Sequence, residues 1–185
     1  MTATVDAPRV LIVDDEERVA ETYELRLGAD YETETALSGE QALQKIDESF
    51  DVVLLDRRMP GLTGDEVLEE IRKRGLDCRV VMLTAVDPDF DITEMEFDDY
   101  VIKPVEREEL RTVVERALSL SEYNERMQEL SSLKLKRNVL EVELPPRDLE
   151  HSGKYSELVS EIDSLESEIE RMEDTIDVDG VDLYL

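Results

Sequence analysis

The sequence predicts an α/β domain, built on a doubly wound five-stranded parallel sheet and followed by an α-helical hairpin or coiled coil. Three observations predict it. Short β-branched and leucine runs alternate with helical stripes as far as about residue 120. Carboxylates, a hydroxyl and a lysine sit just past the ends of those runs. Beyond about Glu106 strand signals stop, and apolar residues recur first at helical and then at heptad spacing.

The elements follow in order. Arg9–Val13 reads as the first strand. A helix follows with Val19, Tyr23 and Leu27 on one stripe and Gly28 as its stop. Tyr31–Thr35 alternates and suits a sheet edge. Ser38-Gly39-Glu40 opens a helix carrying Ala42, Leu43 and Ile46. Asp51–Leu55 is the third and most apolar strand. After the loop Pro60–Gly64, Thr63 caps a helix that buries Val67, Leu68 and Ile71, and Gly75 ends it. Arg79–Leu83 and Tyr100–Ile102 complete the sheet. From Glu106 to about Glu143 no Gly or Pro interrupts a long helix, which Pro145-Pro146 then breaks. A last helix spans about Ser152–Ile176, with Tyr155, Leu158, Ile162, Leu165, Ile169, Met172 and Ile176 spaced alternately three and four apart. Such a narrow seam must pack on another helix, either the preceding one or that of another chain. The predicted domains are residues 1–121 and 122–185.

Strand C-termini of an open parallel sheet converge on one edge, where ligands bind. Asp14 and Asp15 follow Val10–Val13, Asp56 follows Val52–Leu55, Thr84 follows Val80–Leu83, and Lys103 precedes Pro104. Folding therefore gathers three carboxylates, a hydroxyl and an ammonium. Clustered carboxylates repel and bind a hard cation such as Mg²⁺ through oxygen. The cation and the lysine would together neutralise a phosphoryl group.

At Leu-Ile-Val-Asp-Asp-Glu (11–16), Leu-Leu-Asp-Arg-Arg-Met-Pro-Gly (54–61), Met-Leu-Thr-Ala (82–85) and Asp-Asp-Tyr-Val-Ile-Lys-Pro (98–104), the chain resembles the receiver domain of two-component response regulators. The resemblance covers about residues 8–120. It implies a flavodoxin-like strand order, 2-1-3-4-5. It also implies that Asp56 accepts a phosphoryl group from a sensor histidine kinase. Asp15 and Asp56 would hold Mg²⁺ directly with the backbone carbonyl of Arg58, and Asp14 through water. Lys103, the Thr84 hydroxyl and the Ala85 N–H would bind phosphoryl oxygens. Tyr100 would be the switch aromatic that turns inward as Thr84 moves. Arg58 and Val86 stand where the family tunes hydrolysis. One departure stands out. Thr84 and Lys103 lie 19 residues apart, shorter than usual, and Glu96-Phe97 replaces the usual Gly-Ala. A short or distorted fourth helix is expected, with Phe97 filling the space. The tail, roughly Tyr123–Ile176 and notably Lys154-Tyr155-Ser156-Glu157-Leu158, resembles the HalX domain that follows receivers in haloarchaeal regulators.

Asp and Glu number 49 against 21 Lys and Arg, a formal charge of −28 on 185 residues, and only six of the cations are Lys. The charge divides as −17 over residues 1–121 and −11 over 122–185, so it is no acidic tail. It lies on every predicted helix. This favours a protein of a salt-accumulating halophile, of archaeal type, over an ordinary acidic protein with one acidic partner-binding face. The lone Cys78 excludes an intramolecular disulfide. No apolar run approaches membrane-spanning length and no leader opens the chain, so a cytoplasmic, non-membrane protein is expected. His151, the one histidine, sits between Pro146 and Gly153 and reads as a loop residue rather than a phosphocarrier. Lys134, Lys136 and Arg137 form the tail's basic cluster. DNA contact is conceivable there but not favoured; intrahelical ion pairs on a solvated face are the simpler account.

The expected function is a non-enzymatic response regulator signalling through its helical module, by a protein partner or self-association. The alternatives are a DNA-binding transcription regulator and a phosphorelay intermediate without an output of its own. Screening removes carboxylate repulsion, so the thermal midpoint should rise from ~0.1 M to ~3 M KCl. A flat or falling midpoint would refute the halophile reading.

Overall fold

The computed structural model describes residues 7–85, 93 and 95–178, with side chains as far as Glu173. Its strands are β1 (Arg9–Val13), β2 (Glu32–Ala36), β3 (Val52–Leu55), β4 (Arg79–Thr84) and β5 (Asp99–Ile102). They form one sheet in the order β2-β1-β3-β4-β5, all pairs parallel. The order is the one implied by the sequence resemblance. The chain divides into two compact units, Met1–Leu118 and Ser119–Leu185.

In the first unit the two-residue period of a strand sorts the core into two layers. Val10, Ile12, Val52, Leu54, Val81 and Leu83 face one way. They meet Ala20, Tyr23 and Leu27 of α1 (Glu17–Leu27), and Leu110, Val113, Val114 and Ala117 from the first turns of α4 (Arg107–Glu143). Leu11, Val13, Val53, Leu55, Val80 and Met82 face the other way. They meet Ala42 of α2 (Gly39–Lys45) and Val67, Leu68 and Ile71 of α3 (Gly64–Lys73). This is why β1, β3 and β4 read as unbroken apolar runs: both faces are covered. Each such aliphatic side chain contributes about 1.5–3 kcal/mol by leaving water.

The edges read differently. β2 is Glu-Thr-Glu-Thr-Ala, only partly buried, and Arg9 of β1 pairs with its Glu34 at 2.6 Å. Charge along an edge discourages pairing with other chains. At β5, Asp98 accepts from Arg72 at 2.8 Å, from Arg79 at 2.7 Å and from the Val80 N–H at 2.7 Å. One carboxylate thus ties α3 and β4 to the start of the last strand. Asp99 pairs with Arg116 of α4. Phe97 packs against the second core layer beside Tyr100, ring centroids 5.6 Å apart. The expected short fourth helix falls mostly on residues 86–92 and 94, outside the described residues.

Helix ends follow the sequence signals. Ser38 caps α2 through the Gln41 N–H. Thr63 and Glu66 form a reciprocal capping box at α3, and Gly75 follows that helix with φ +70°. Gly64, the first residue of α3, has a tighter reason to be glycine. A Cβ there would lie 2.2 Å from the Asp56 carbonyl oxygen.

In the second unit α4 runs on to Glu143, a short α5 (Pro146–Glu150) follows, and α6 (Gly153–Val178) turns back along α4. Of the two options open to the seam, the hairpin within one chain is the one formed. Leu130 and Leu133 pack on Ile162, Leu165 and Ile169, with Tyr123 and Leu158 at the margin. Polar pairs confirm the antiparallel register: Tyr123 hydroxyl to Glu173 at 2.8 Å, Arg126 to Glu168 at 3.3 Å, Tyr155 hydroxyl to Glu141 at 2.6 Å. The Ile176 side chain lies outside the described set. α5, absent from the sequence expectation, buries Leu149 against the unit. Two expectations are refined here. Lys134 pairs across the hairpin with Glu166 at 2.6 Å, whereas Arg137 pairs within its helix with Glu141 at 3.7 Å. His151 sits at the end of α5, its Nδ1 2.7 Å from the Arg147 carbonyl oxygen.

Two substitutions test this packing. Gly64→Ala should cost about 1–3 kcal/mol, because the new methyl group meets backbone rather than a yielding side chain; urea denaturation measures it. Leu165→Asp should cost about 2–5 kcal/mol and expose α6 amides to hydrogen exchange, since a desolvated charge would sit in the seam. Unchanged protection over residues 153–173 would contradict the hairpin.

Candidate functional site

The register carries the strand ends to one edge. Val13 pairs with Ala36 and Leu55, Leu55 with Met82, and Thr84 with Ile102. Asp14 after β1, Asp56 after β3, Thr84 at the end of β4 and Lys103 after β5 are thereby brought to the same edge. Asp14 is 2% exposed and Asp56 9% exposed, while Asp15 is exposed at the rim. One oxygen from each of the three carboxylates lies within 4.8 Å of the others. Thr84 is buried at the end of β4.

Lys103, just beyond β5, reaches into this group. Its Nζ donates to Asp14 Oδ2 at 2.5 Å and to Asp56 Oδ2 at 2.8 Å. Its backbone N–H donates to the Thr84 carbonyl oxygen at 2.8 Å. The remaining carboxylate oxygens are held from the loops. Asp14 Oδ1 accepts the Glu16 N–H at 3.0 Å, and Asp56 Oδ1 accepts the Arg58 N–H at 3.1 Å. The backbone N–H of Asp14 donates to the Ala36 carbonyl oxygen, and that of Asp56 to the Val13 carbonyl oxygen. Both carboxylates are therefore aimed by the sheet itself.

Burial and charge oppose each other here. Burial raises the Asp14 carboxyl above its ordinary range, and the hydrogen bond and charge of Lys103 only partly reverse it. Burial works against the Lys103 ammonium, but its hydrogen bonds to both carboxylates and their charges outweigh that, and its pKa rises. The ammonium is therefore held charged. Burial also raises the Tyr23 phenol, which lies within reach of the fields of Lys103 and Asp14.

Asp14, Asp15, Asp56 and Lys103 come together as the sequence indicated, and Thr84 ends the strand between those bearing Asp56 and Lys103. Ala85 and Arg58 are exposed at the rim. Tyr100 is half-buried on β5, packed beside Phe97. Val86 lies outside the described residues. Two supporting features were not anticipated. Arg57 is buried next to Asp56, and its Nε and Nη2 meet Asp65 at 3.0 and 3.1 Å. Its carbonyl accepts the Gly64 N–H at 2.9 Å. The loop after Asp56 is thus clamped to the start of α3. Only Gly64, followed at once by the acidic Asp65 and Glu66, offered a sequence signal for this. The donor set of oxygens alone, anionic and partly dehydrated, fits a small hard divalent cation.

Comparison with known proteins identifies the family. Residues 10–115 match the response regulator receiver domain family, and residues 119–182 match the HalX domain. A Haloferax volcanii protein named for transcriptional regulation is 47% identical over 165 residues, 87% of this chain and 28% of that protein. The alkaline phosphatase synthesis transcriptional regulatory protein PhoP of Bacillus subtilis is 37% identical over 119 residues, 62% of this chain and 50% of PhoP. The chain thus spans half or less of these two relatives. Among solved structures, the response regulator TrrA of Thermotoga maritima, in complex with Mg²⁺ and a beryllium fluoride, is 37% identical with a TM-score of 0.54, covering 60% of this chain and 99% of that one. A CheY-like receiver from Methanospirillum hungatei is 27% identical with a TM-score of 0.59, covering 63% of this chain and 98% of that one. By its motif residues, its sheet and these matches, the chain belongs to the family of response regulator receiver domains, with a HalX domain after the receiver.

Proposed function

We propose that this chain is a phosphorylation-dependent signalling protein in which Asp56 accepts a phosphoryl group and the C-terminal helices carry the output. The observation that carries the reading is Lys103 Nζ at 2.5 and 2.8 Å from Asp14 and Asp56, with three carboxylates converging beside it. A carboxylate oxygen of Asp56 attacks the phosphorus of a sensor kinase's phosphohistidine. The phosphorus–nitrogen bond breaks, the imidazole leaves and takes up a proton, and an acyl phosphate remains. Asp15 and Asp56, with the Arg58 carbonyl, would hold Mg²⁺, and Asp14 would hold it through water. The ion supplies charge neutralisation at the transferring group. Lys103 keeps its charge in the site and exchanges the Asp56 carboxylate for a phosphoryl oxygen. Thr84 through its hydroxyl and Ala85 through its N–H bind the other oxygens. Movement of Thr84 frees space for Tyr100, whose half-buried ring supports a switch role.

The receiver is a signalling rather than a catalytic domain, and its donor would be a sensor histidine kinase. No described helix is long and apolar enough to cross a membrane. The helical module would act through a protein partner or a second copy. DNA contact through Lys134–Arg137 is less well supported, because Lys134 and Arg137 are already paired with glutamates.

Incubation with Mg²⁺ and acetyl phosphate should add one phosphoryl group, read by intact mass. Asp56→Asn should abolish it, since an amide forms no acyl phosphate, and chelating the cation should suppress it at least ~10-fold. Lys103→Ala should permit some labelling but separate it from any conformational change seen by hydrogen exchange. Undiminished label in Asp56→Asn would sink the assignment.

A further inference from the structure

The face of α4 turned away from α6 is unlike the rest of the surface. Seven large hydrophobic side chains are exposed among the described residues, and five of them lie between Met127 and Leu144. Leu135, Val139 and Val142 are 65%, 52% and 82% exposed. Their spacing of four and then three residues puts them on one side of the helix, opposite the buried Leu130 and Leu133. The same spacing continues backwards to Ser132 and Gln128, both exposed. Five successive stripe positions carry no charge, in a chain where 38% of residues are charged. Residues 127–144 hold three cations and three anions, so this stretch is neutral within a protein of −28. An exposed apolar stripe in neutral surroundings is the mark of a contact surface.

We propose that this face of α4 docks against the same face of a second copy of the chain, antiparallel, about a twofold axis near Val139. The flanking charges select that occupant and that register. Lys136 and Glu143 lie seven residues apart on one flank of the stripe. Both are exposed, and neither has an ion-pair partner among the described residues. With Val139 beside the partner's Val139, Lys136 comes within one residue, about 1.5 Å along the axis, of the partner's Glu143 on the same flank, within side-chain reach, and symmetry makes the pair twice. Leu135 and Val142 of each copy then close over the central valines. Sliding the copies by one heptad sets Lys136 against the partner's Lys136 and Glu129 against the partner's Glu143. A parallel pair sets Lys136 and Glu143 beside neutral Ser131 and Asn138. Only the antiparallel register centred on Val139 satisfies apolar and charged positions together. Two hairpins joined in this way make a four-helix arrangement. The inference rests on the helical hairpin and not on phosphotransfer at Asp56.

The stripe is short, so the dimer is weak, and it needs salt because each copy carries −28. Sedimentation equilibrium of the full chain at ~3 M KCl, over roughly 1–300 µM, should show a reversible monomer–dimer equilibrium. Val139→Glu sets two carboxylates against each other on the axis and should raise the dissociation constant at least ~30-fold. Lys136→Glu should raise it about 10-fold, and Lys136→Glu with Glu143→Lys should restore it to within about 3-fold of the parent. These positions are exposed, so folding is retained, as circular dichroism would verify. Val139→Cys should cross-link under mild oxidation. The parent should not, because Cys78 is buried and burial pushes its thiol up to about 11. A monomer at every concentration, a dimer indifferent to Val139→Glu, or a double exchange no better than Lys136→Glu would overturn the proposal. Acetyl phosphate labelling of Val139→Glu, expected at the parent level, reads the Asp56 assignment separately.

Discussion

The ammonium of Lys103 between two buried carboxylates is the contact on which the receiver's architecture depends. Converging carboxylates repel, and burial alone would drive Asp14 towards its neutral form. One cation placed at 2.5 and 2.8 Å from Asp14 and Asp56 offsets that repulsion without filling the crevice. The strand order makes this possible. β1 and β3 are neighbours, so Asp14 and Asp56 stand side by side. Lys103 follows β5, two strands from β3, a separation of roughly 10 Å. Only a long side chain spans that distance, and the strand between contributes the short Thr84. A shuffled order would leave carboxylates and lysine out of mutual reach.

Around this contact the loops are held by pairs that take no part in binding. Arg57 clamps the chain after Asp56 to Asp65 at the head of α3, and Gly64 lets that helix start against the Asp56 backbone. Asp98 performs a similar task for β5 through Arg72 and Arg79. The Asp98 pairs are largely shielded from water, and in the Arg57–Asp65 pair the arginine is buried. Surface pairs such as Arg111–Glu115 or Arg126–Glu129 are worth a few tenths of a kcal/mol each. In a protein of −28 they relieve local repulsion more than they bind elements together.

The helical unit uses charge in a different way. Its inner seam is narrow, so flanking polar pairs such as Tyr123–Glu173 and Lys134–Glu166 fix the alignment of α6 on α4. The opposite side of α4 stays apolar and neutral in a protein whose net charge is −28. In dilute buffer the net charge of −28 keeps copies apart, and in concentrated salt screening removes that repulsion and leaves the apolar face free to associate.

Much of this protein was legible from the chain itself. Unbroken apolar runs in β1, β3 and β4 announced a sheet covered on both faces, because each strand must satisfy two cores. The polar residue after each run marked the site, because parallel strands finish on one edge. Thr63, Gly75 and Pro145-Pro146 marked helix ends through strictly local backbone chemistry. What the sequence could not decide involves partners distant along the chain. The seam of α6 fits a neighbouring helix in the same chain or another, and only the packing of Ile162 and Leu165 on Leu130 and Leu133 chose the hairpin. Lys134 read as a helix-surface cation until α6 brought Glu166 beside it. Arg57 and Asp98 read only as parts of motifs. Their roles arise when Asp65, Arg72 and Arg79 arrive from other elements. Periodicity and capping depend on neighbours a few residues apart, whereas charge pairing and helix partnership depend on which surfaces the fold brings within a few ångströms.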